Sequence, residues 1–327
     1  MRLTRRQLVI ATAAIPLQIS LAARAADSPA WPSRPVRFIV PFPAGSAADV
    51  LMRLLGVKLA ERWGQAVVVD NKPGGSGVIG MSALMTSPAD AYTFGFAQGS
   101  AISVAPSTIR GVPYSYTRDF APVSLVAVAP LLLAVPYDSP FRKAEDLVAA
   151  AKARPESVEV GDPGRATLPH LAAALLGAQS GTQFLHVHFQ GGGQALQGML
   201  GGQTKAQVET YNVLAGMVEA RKLRVLASFG DGTEPGLESV PVLRAAYPGT
   251  VGNGWFAVIA RKGTPSTVIE RISRDLAALL QQDEIAAKFK ELGAYPRPGT
   301  PAQLDAYIAA DQRQWQAVLD RLNIKPE

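Results

Sequence analysis

The chain has 327 residues, enough for about two domains. It is 48% hydrophobic and 18% charged, which supports a sizeable core and excludes a self-repelling disordered chain. The lack of cysteine excludes disulfide frameworks, thiolate metal sites and cysteine nucleophiles.

Residues 1–25 carry Arg2, Arg5, Arg6 and Arg24 and no acid. An apolar stretch runs from Leu8 to Ala23, broken only by Thr12, Pro16, Gln18 and Ser20. Ala23-Arg24-Ala25 then offers small residues for a cut before Ala26. This is the pattern of a secretory signal, and the stretch is shorter than a membrane span. Thr4-Arg5-Arg6-Gln7-Leu8 also resembles a twin-arginine signal, so the export route stays open between the two. Removing the segment takes four of the six excess positive charges with it. Nucleic acid is then not an expected partner. The expected location is the periplasm, as a soluble chain.

After the signal, Val36–Val40 reads as a buried strand closed by Pro41. Asp49 to Trp63 reads as a helix with Leu51, Leu54, Leu55 and Leu59 on one face and Gly64 as its stop. Ala66–Val69 and Tyr92–Ala97 read as strands around a helix at Val78–Thr86. Ala121–Val126 and Leu131–Val135 read as two strands separated by Pro130, followed by an Ala-rich helix at Ala144–Ala153. Val158–Val160 and Leu185–Phe189 flank a helix from Leu168 to Ala178. Leu223–Ser228 and Phe256–Ala260 are further strands, and helices follow at Ser266–Leu280, Asp283–Leu292 and Pro301–Leu322. Strand–helix alternation predicts an α/β fold with mostly parallel sheets. Two sheets suit the length better than one of ten strands. Segments 121–135 and 246–260 are expected to cross between two lobes.

Several strands end in loops rich in Gly or small polar residues, most of which open a helix. They are Pro41-Phe42-Pro43-Ala44-Gly45-Ser46, Pro73-Gly74-Gly75-Ser76-Gly77, Gln98-Gly99-Ser100, Gly161-Asp162-Pro163-Gly164-Arg165-Ala166-Thr167 and Gln190-Gly191-Gly192-Gly193. In parallel sheets such loops share one edge, where ligands bind. Helix N-termini there suit a carboxylate or phosphate. Gly75-Ser76-Gly77-Val78-Ile79-Gly80 fits G-x-G-x-x-G, but Asp70 to Gly74 separate it from its strand and the acid expected after the next strand is missing. No dinucleotide cofactor is expected. His186 and His188 share one strand face without an evident third ligand, so no metal is expected. A secreted hydrolase would need Ser46, Ser76 or Ser100 with His170, and no nucleophile–base–orienter signature supports it.

At these residues the chain resembles a known family. Pro41-Phe42-Pro43-Ala44-Gly45-Ser46-Ala47-Ala48-Asp49 resembles P-F-x-x-G-G-x-x-D, Asn71-Lys72-Pro73-Gly74 resembles N-[RK]-P-G, and Asp119-Phe120-Ala121-Pro122-Val123 resembles D-F-x-P-V. His170-Leu171-Ala172, His186-Val187, Leu200-Gly201-Gly202-Gln203, Val240-Pro241 and Gly263-Thr264-Pro265 continue in order. The family is that of the Bug-type receptors of tripartite tricarboxylate transporters. The resemblance implies a non-enzymatic, two-lobed periplasmic binding protein of type II-like form, with lobe 1 at 33–127 plus 252–327 and lobe 2 at 128–251. It implies closure on a small carboxylate or related molecule, with an occasional membrane partner of integral transporter subunits; a monomer without cofactor is expected. Carried over by position, ligand contacts would come from Phe42, Pro43, Ala44, Gly45, Ser46, Asp49, Gly74, Gly75, Gly99, Ser100, Arg165, Thr167, His170, Gly191 and Glu209. Ser46 and Ala48 depart from the family pattern, and Glu209 stands where the family often has Asp. Asp162 and Arg165 place unusual charges in a ligand loop, where Arg165 would meet a second anion or pair with Asp162 at the surface. The altered positions leave a third reading open, an interaction protein with an empty cleft.

Overall fold

The computed structural model describes residues 31–326 apart from Asp231 and Thr233. The export signal at 1–25 lies outside the described residues. The chain begins with β1 (Val36–Val40), α1 (Ala47–Trp63), β2 (Val67–Asn71), α2 (Val78–Thr86) and β3 (Thr93–Gln98). A π-helical turn (Ser100–Val104), the short α3 (Ala105–Thr108) and α4 (Tyr116–Asp119), and the long β4 (Phe120–Pro136) follow. Next come α5 (Ala144–Ala153), β5 (Glu159–Asp162), α6 (Leu168–Ser180), β6 (Leu185–His188), α7 (Gly192–Leu200), β7 (Ala206–Thr210), α8 (Tyr211–Glu219) and β8 (Leu223–Ser228). The chain closes with β9 (Asn253–Arg261), α9 (Ser266–Leu280), α10 (Asp283–Glu291), β10 (Tyr295–Pro296) and α11 (Pro301–Arg321).

The expected α/β architecture is present. β1 takes β2 and β3 as parallel neighbours, and β5 takes β6 and β7 likewise. β3 continues antiparallel into β9, and β9 into β4. β4 then joins the second set, with β7 and β8 as antiparallel partners. The strands thus form one ten-stranded sheet continuous through β4, where the length suggested two; the first and second sheets are its two halves. Pro130 does not divide β4 in two, as the sequence suggests. It faces Asn253 at the last pair with β9, and pairing with β7 starts at Leu131. The missing N–H of proline falls where the strand changes partners, so no internal ladder bond is lost.

Helices cover both faces of each sheet. On the first sheet, Leu51, Leu55 and Leu59 of α1, Ile272 and Leu276 of α9 and Phe289 of α10 enclose Phe38 and Phe94. Its other face is covered by Met81 and Leu84 of α2 and by Leu304 and Ile308 of α11. On the second sheet, Leu147, Leu171 and Leu175 pack with Trp315 and Leu319 on one side, and Leu196, Met199 and Leu214 lie on the other. Each such side chain contributes about 1.5–3 kcal/mol by leaving water. α11 therefore lies across both cores. The ends follow local chemistry: Ser46 Oγ accepts from Asp49 N–H at the start of α1, and Gly64 closes that helix at φ 63°. Thr300 and Gln303 form a reciprocal cap on α11, with Pro301 in its first turn.

Three elements have no clear sequence signature. α7 holds three glycines in nine residues, and β7 reads Ala-Gln-Val-Glu-Thr. They and α8 form because Leu196, Met199, Val208 and Leu214 are buried by neighbours distant in sequence.

Gly80 shows how closely α2 approaches β1. A Cβ there would lie 2.6 Å from Pro41 Cβ, 2.7 Å from Pro41 Cα and 3.0 Å from the Lys72 carbonyl oxygen. Two of these atoms are backbone and cannot step aside. The G-x-G-x-x-G run thus serves packing at this position. Gly80→Ala is expected to destabilise the protein by about 1–3 kcal/mol, read as a lower urea midpoint at unchanged slope.

Candidate functional site

All six parallel strands run toward one cavity of about 590 Å³ between the two sheets. The segments after their ends build its wall: Phe42 and Pro43 after β1, Ser76 after β2, Gly99 and Ser100 after β3. Pro163 and Thr167 follow β5, Gly191 follows β6, and Thr210 ends β7. Gly254, Trp255 and Phe256 of β9 and Ala129 and Leu131 of β4 complete it.

Four helices begin at this wall. α1 has 17 residues, α6 has 13, and α7 and α8 have nine each. Residues in the first turn of all four line the cavity. α6, α7 and α8 have no side-chain cap, so their free N–H groups remain for an occupant or water. Each helix end adds about half a positive charge. No Lys, Arg or His lines the cavity among the described residues. The site therefore favours an anion through backbone N–H groups and helix ends, without a fixed cation.

Glu209 is the one ionisable side chain in that wall among the described residues. Its Oε1 accepts from Thr210 N–H at 2.8 Å and from Thr210 Oγ1 at 3.1 Å. A Cβ on Gly192 would sit 2.2 Å from Glu209 Oε2, so a side chain at position 192 would displace this carboxyl from where it stands. Burial pushes its pKa up to about 7, with Asp162 adding to the rise and the Thr210 bonds opposing it.

Charged groups behind the wall hold the loops. Asp49 is buried and accepts from Gly45 N–H at 2.9 Å, Arg53 Nε at 2.9 Å and Asn71 Nδ2 at 2.9 Å. Asn71 Nδ2 also donates to the Phe42 carbonyl at 3.1 Å. Burial works to raise the Asp49 pKa, but its bonds from Arg53, Gly45 and Asn71 outweigh this and hold it below the usual value. In the second half, Asp162 is fully buried and accepts from Gly164 N–H at 2.9 Å, and its two oxygens lie 2.9 and 3.0 Å from His188 Nδ1. Asp162 thus pairs with His188 and not with Arg165 at the surface. Burial pushes its pKa up to about 6. Ala166, at φ 56°, donates its N–H to His170 Nδ1 at 2.9 Å. Asp311 of α11 accepts from Trp255 Nε1 at 2.8 Å and Trp315 Nε1 at 3.0 Å, tying the cavity wall to the second core.

The histidines form one cluster. His170 sits edge-on to His186 and His188, with ring centroids 4.9 and 4.7 Å away. Ligand atoms of Asp162, His170 and His186 lie within 4.8 Å of one another. Yet the Ala166 bond makes His170 Nδ1 an acceptor, which puts the proton of the neutral ring on Nε2 and leaves no free lone pair for a metal. Burial holds His170 down at about 3 and His186 at about 4, so both rings stay neutral. The cluster braces the 162–167 loop from behind. His170 bonds to that loop and to none of Ser46, Ser76 or Ser100.

Of the residues singled out in the sequence, the cavity brings together Phe42, Pro43, Gly45, Ser46, Gly99, Ser100, Thr167, Gly191 and Glu209. Ala44, Asp49, Gly74, Gly75, Arg165 and His170 lie outside its wall. Asp49 and His170 face the loops from behind, Gly74 and Gly75 carry the positive φ angles of their turn, and Arg165 is exposed. Gln98, Gly192, Ser76 and Pro163 of the loops named in the sequence also line it, whereas Leu131, Thr210, Asn212, Gly254 and Trp255 were not anticipated. Thr210 ends and Asn212 follows a strand with no clear pattern, and Trp255 lies on a crossing strand. A tryptophan beside Gly254 in an apolar run was the available signal.

Two α/β halves joined by crossing strands, around a cavity edged with glycine loops and helix N-termini, define a solute-binding receptor of the periplasmic type. Residues 51–324 match the tripartite tricarboxylate transporter family receptors. The BugT protein of Bordetella pertussis is 33% identical over 318 residues, covering 97% of this chain and 95% of that one. Among solved structures, Rpa4515 of R. palustris with adipate has a TM-score of 0.83 at 30% identity, covering 91% of this chain and all of that one. The periplasmic binding protein BugD has a TM-score of 0.78 at 25% identity, covering 91% and 100%. The chain belongs to the tripartite tricarboxylate transporter receptor family. Among the described residues no helix is long and apolar enough to cross a membrane.

Two outcomes are expected. Asp49→Ala removes three accepted hydrogen bonds and frees the 42–45 loop. It should cost about 2–3 kcal/mol in urea unfolding at pH 7. The depressed pKa means that this stability is present above about pH 4 and is lost as pH falls through the lower folded value. Glu209 runs the other way. Its folded pKa lies above the unfolded one, so the empty protein loses stability as pH rises from about 4.5 to about 7. Glu209→Gln should therefore gain on the native chain by roughly 1–3 kcal/mol between pH 5 and pH 8. A constant difference across that range would contradict the assignment.

Proposed function

We propose that this protein is an exported receptor that captures a small carboxylate between its two sheets. The observation that carries the reading is the cavity itself, with four helix N-termini and backbone amides from both sheets and no lysine or arginine in its wall. Rpa4515, solved with adipate, supports a carboxylate as the ligand class. Phe42, Gly45, Ser46, Gly99, Ser100, Thr167, Gly191 and Glu209 are the proposed contacts, with Asp49 and His170 holding their loops. Lobe 1 comprises 33–127 plus 252–327 and lobe 2 comprises 128–251, with α11 lying over both cores. A ligand that touches both lobes favours their closed arrangement by its differential affinity for it.

The finer reading follows the family. The signal is cut before Ala26, the mature chain acts as a periplasmic monomer, and it performs no catalysis. Integral membrane subunits of a transporter, or a sensor, read the closed form.

Ser46→Asp tests the anion site with little risk to folding. Aspartate also caps a helix, so α1 keeps its start. The new charge faces the cavity and opposes a carboxylate. Calorimetry and thermal shift with C4–C6 carboxylates should give at least a tenfold affinity loss at an unchanged melting temperature of the empty protein. A ligand at 100 times its dissociation constant adds about 2.7 kcal/mol to the native chain, a readily seen shift. Unchanged affinity in the folded variant would remove α1 from the site.

A further inference from the structure

The carboxyl of Glu209 stands inside a site otherwise built for anions. It is 5% exposed, at the end of β7. Its oxygens are not equivalent. Oε1 is engaged twice by Thr210, whereas Oε2 makes no hydrogen bond among the described residues. Gly192 leaves the space that Oε2 occupies, since any Cβ there would overlap it. Among the described residues no Lys, Arg or His lines the cavity beside it. Leu132 lies opposite on β4, Gln207 precedes it on β7 with its Nε2 donating to the Gly192 carbonyl, and Thr210 opens α8. Asp162 at the end of β5 acts on it with like charge, and His188 engages that carboxylate from β6.

A ligand with a carboxylate at each end would bring a second anion toward this buried oxygen. Like charges at such range repel, and helix ends with about half a charge each already serve the first carboxylate. A ligand whose far end donates an N–H would instead give Glu209 Oε2 the hydrogen bond it lacks among the described residues.

Resting on the receptor reading above, we propose that Glu209 selects ligands with one carboxylate and a far-end N–H donor, an amide or an ammonium group, over dicarboxylates. The helix N-termini hold the carboxylate, and Glu209 Oε2 accepts from the donor. A dicarboxylate then binds only with a proton placed between its far carboxyl and Glu209. Since burial brings the Glu209 carboxyl up to about 7, that proton is available in mildly acidic solution and scarce above neutrality.

The test is calorimetry with three matched ligands at each chain length from four to six carbons: the diacid, its monoamide and the ω-amino acid. Each is titrated at pH 6 and pH 8 into the native protein and Glu209→Gln. At pH 8 the native protein should bind the amide or amino acid at least tenfold tighter than the diacid. Diacid affinity should fall about tenfold from pH 6 to pH 8, and titrations in buffers of different ionisation enthalpy should show uptake of one proton. Glu209→Gln should bind the diacid at least tenfold tighter at pH 8, bind the amino acid at least tenfold more weakly, and lose the proton uptake. Should that variant not fold, the ranking, pH dependence and proton count of the native protein decide the matter. A native protein that ranks the diacid first at pH 8 without proton uptake overturns the selection by Glu209 while leaving the carboxylate receptor standing. Failure of every ligand at both pH values overturns both.

Discussion

The structure depends on one constraint: a parallel strand followed by a helix leaves the helix N-terminus at the strand's C-terminal edge. This chain repeats the arrangement in both sheets and turns the two edges toward each other. N–H groups that no helix can satisfy internally therefore converge on one space. The anion preference of the cavity follows from backbone geometry and needs no lysine or arginine. Side chains in the wall are left to define shape and far-end chemistry, and there Glu209 departs from its neighbours.

The loops that carry these N–H groups are rich in glycine and would be loose on their own. Each half restrains them from outside the cavity. Asp49, Arg53 and Asn71 hold the 42–45 loop, and Asp162, His170 and His188 hold the 162–167 loop. Both arrangements bury a carboxylate on backbone N–H groups, one with an arginine beside it and the other with histidine. The difference appears in the titration: the Asp49 pKa is lowered, and that of Asp162 is raised to about 6. Asp311 adds a third restraint by joining Trp255 in the wall to Trp315 in the second core. α11 thereby connects the cavity to both hydrophobic cores.

Most of the fold was legible in the sequence because its periodicities are strong. The leucine face of α1, the apolar runs of β1 and β3, the periodic helices α9 and α10 and the capped α11 are local signals, and local chemistry decides them. The glycine loops after strands likewise pointed to one edge of the sheets, and nine of the fifteen residues singled out lie in the cavity wall. The ordered motifs indicated the family, which the profile match over residues 51–324 establishes.

What the sequence by itself determined, then, is the alternation of strands and helices, the loops at their junctions and the family. Tertiary structure decided which side chains those loops present. Asp49 and His170 stand by sequence in the first turns of helices that follow cavity loops, but they lie behind the cavity wall, where they accept the N–H groups of Gly45 and Ala166. Pro130 reads as a break yet lies within β4, because the strand changes partners there. β7 and α7, weak in local pattern, exist because the second core covers them, and their junction sets Glu209 beside Gly192. Burial and pairing depend on contacts between distant segments, and no local spacing encodes those contacts.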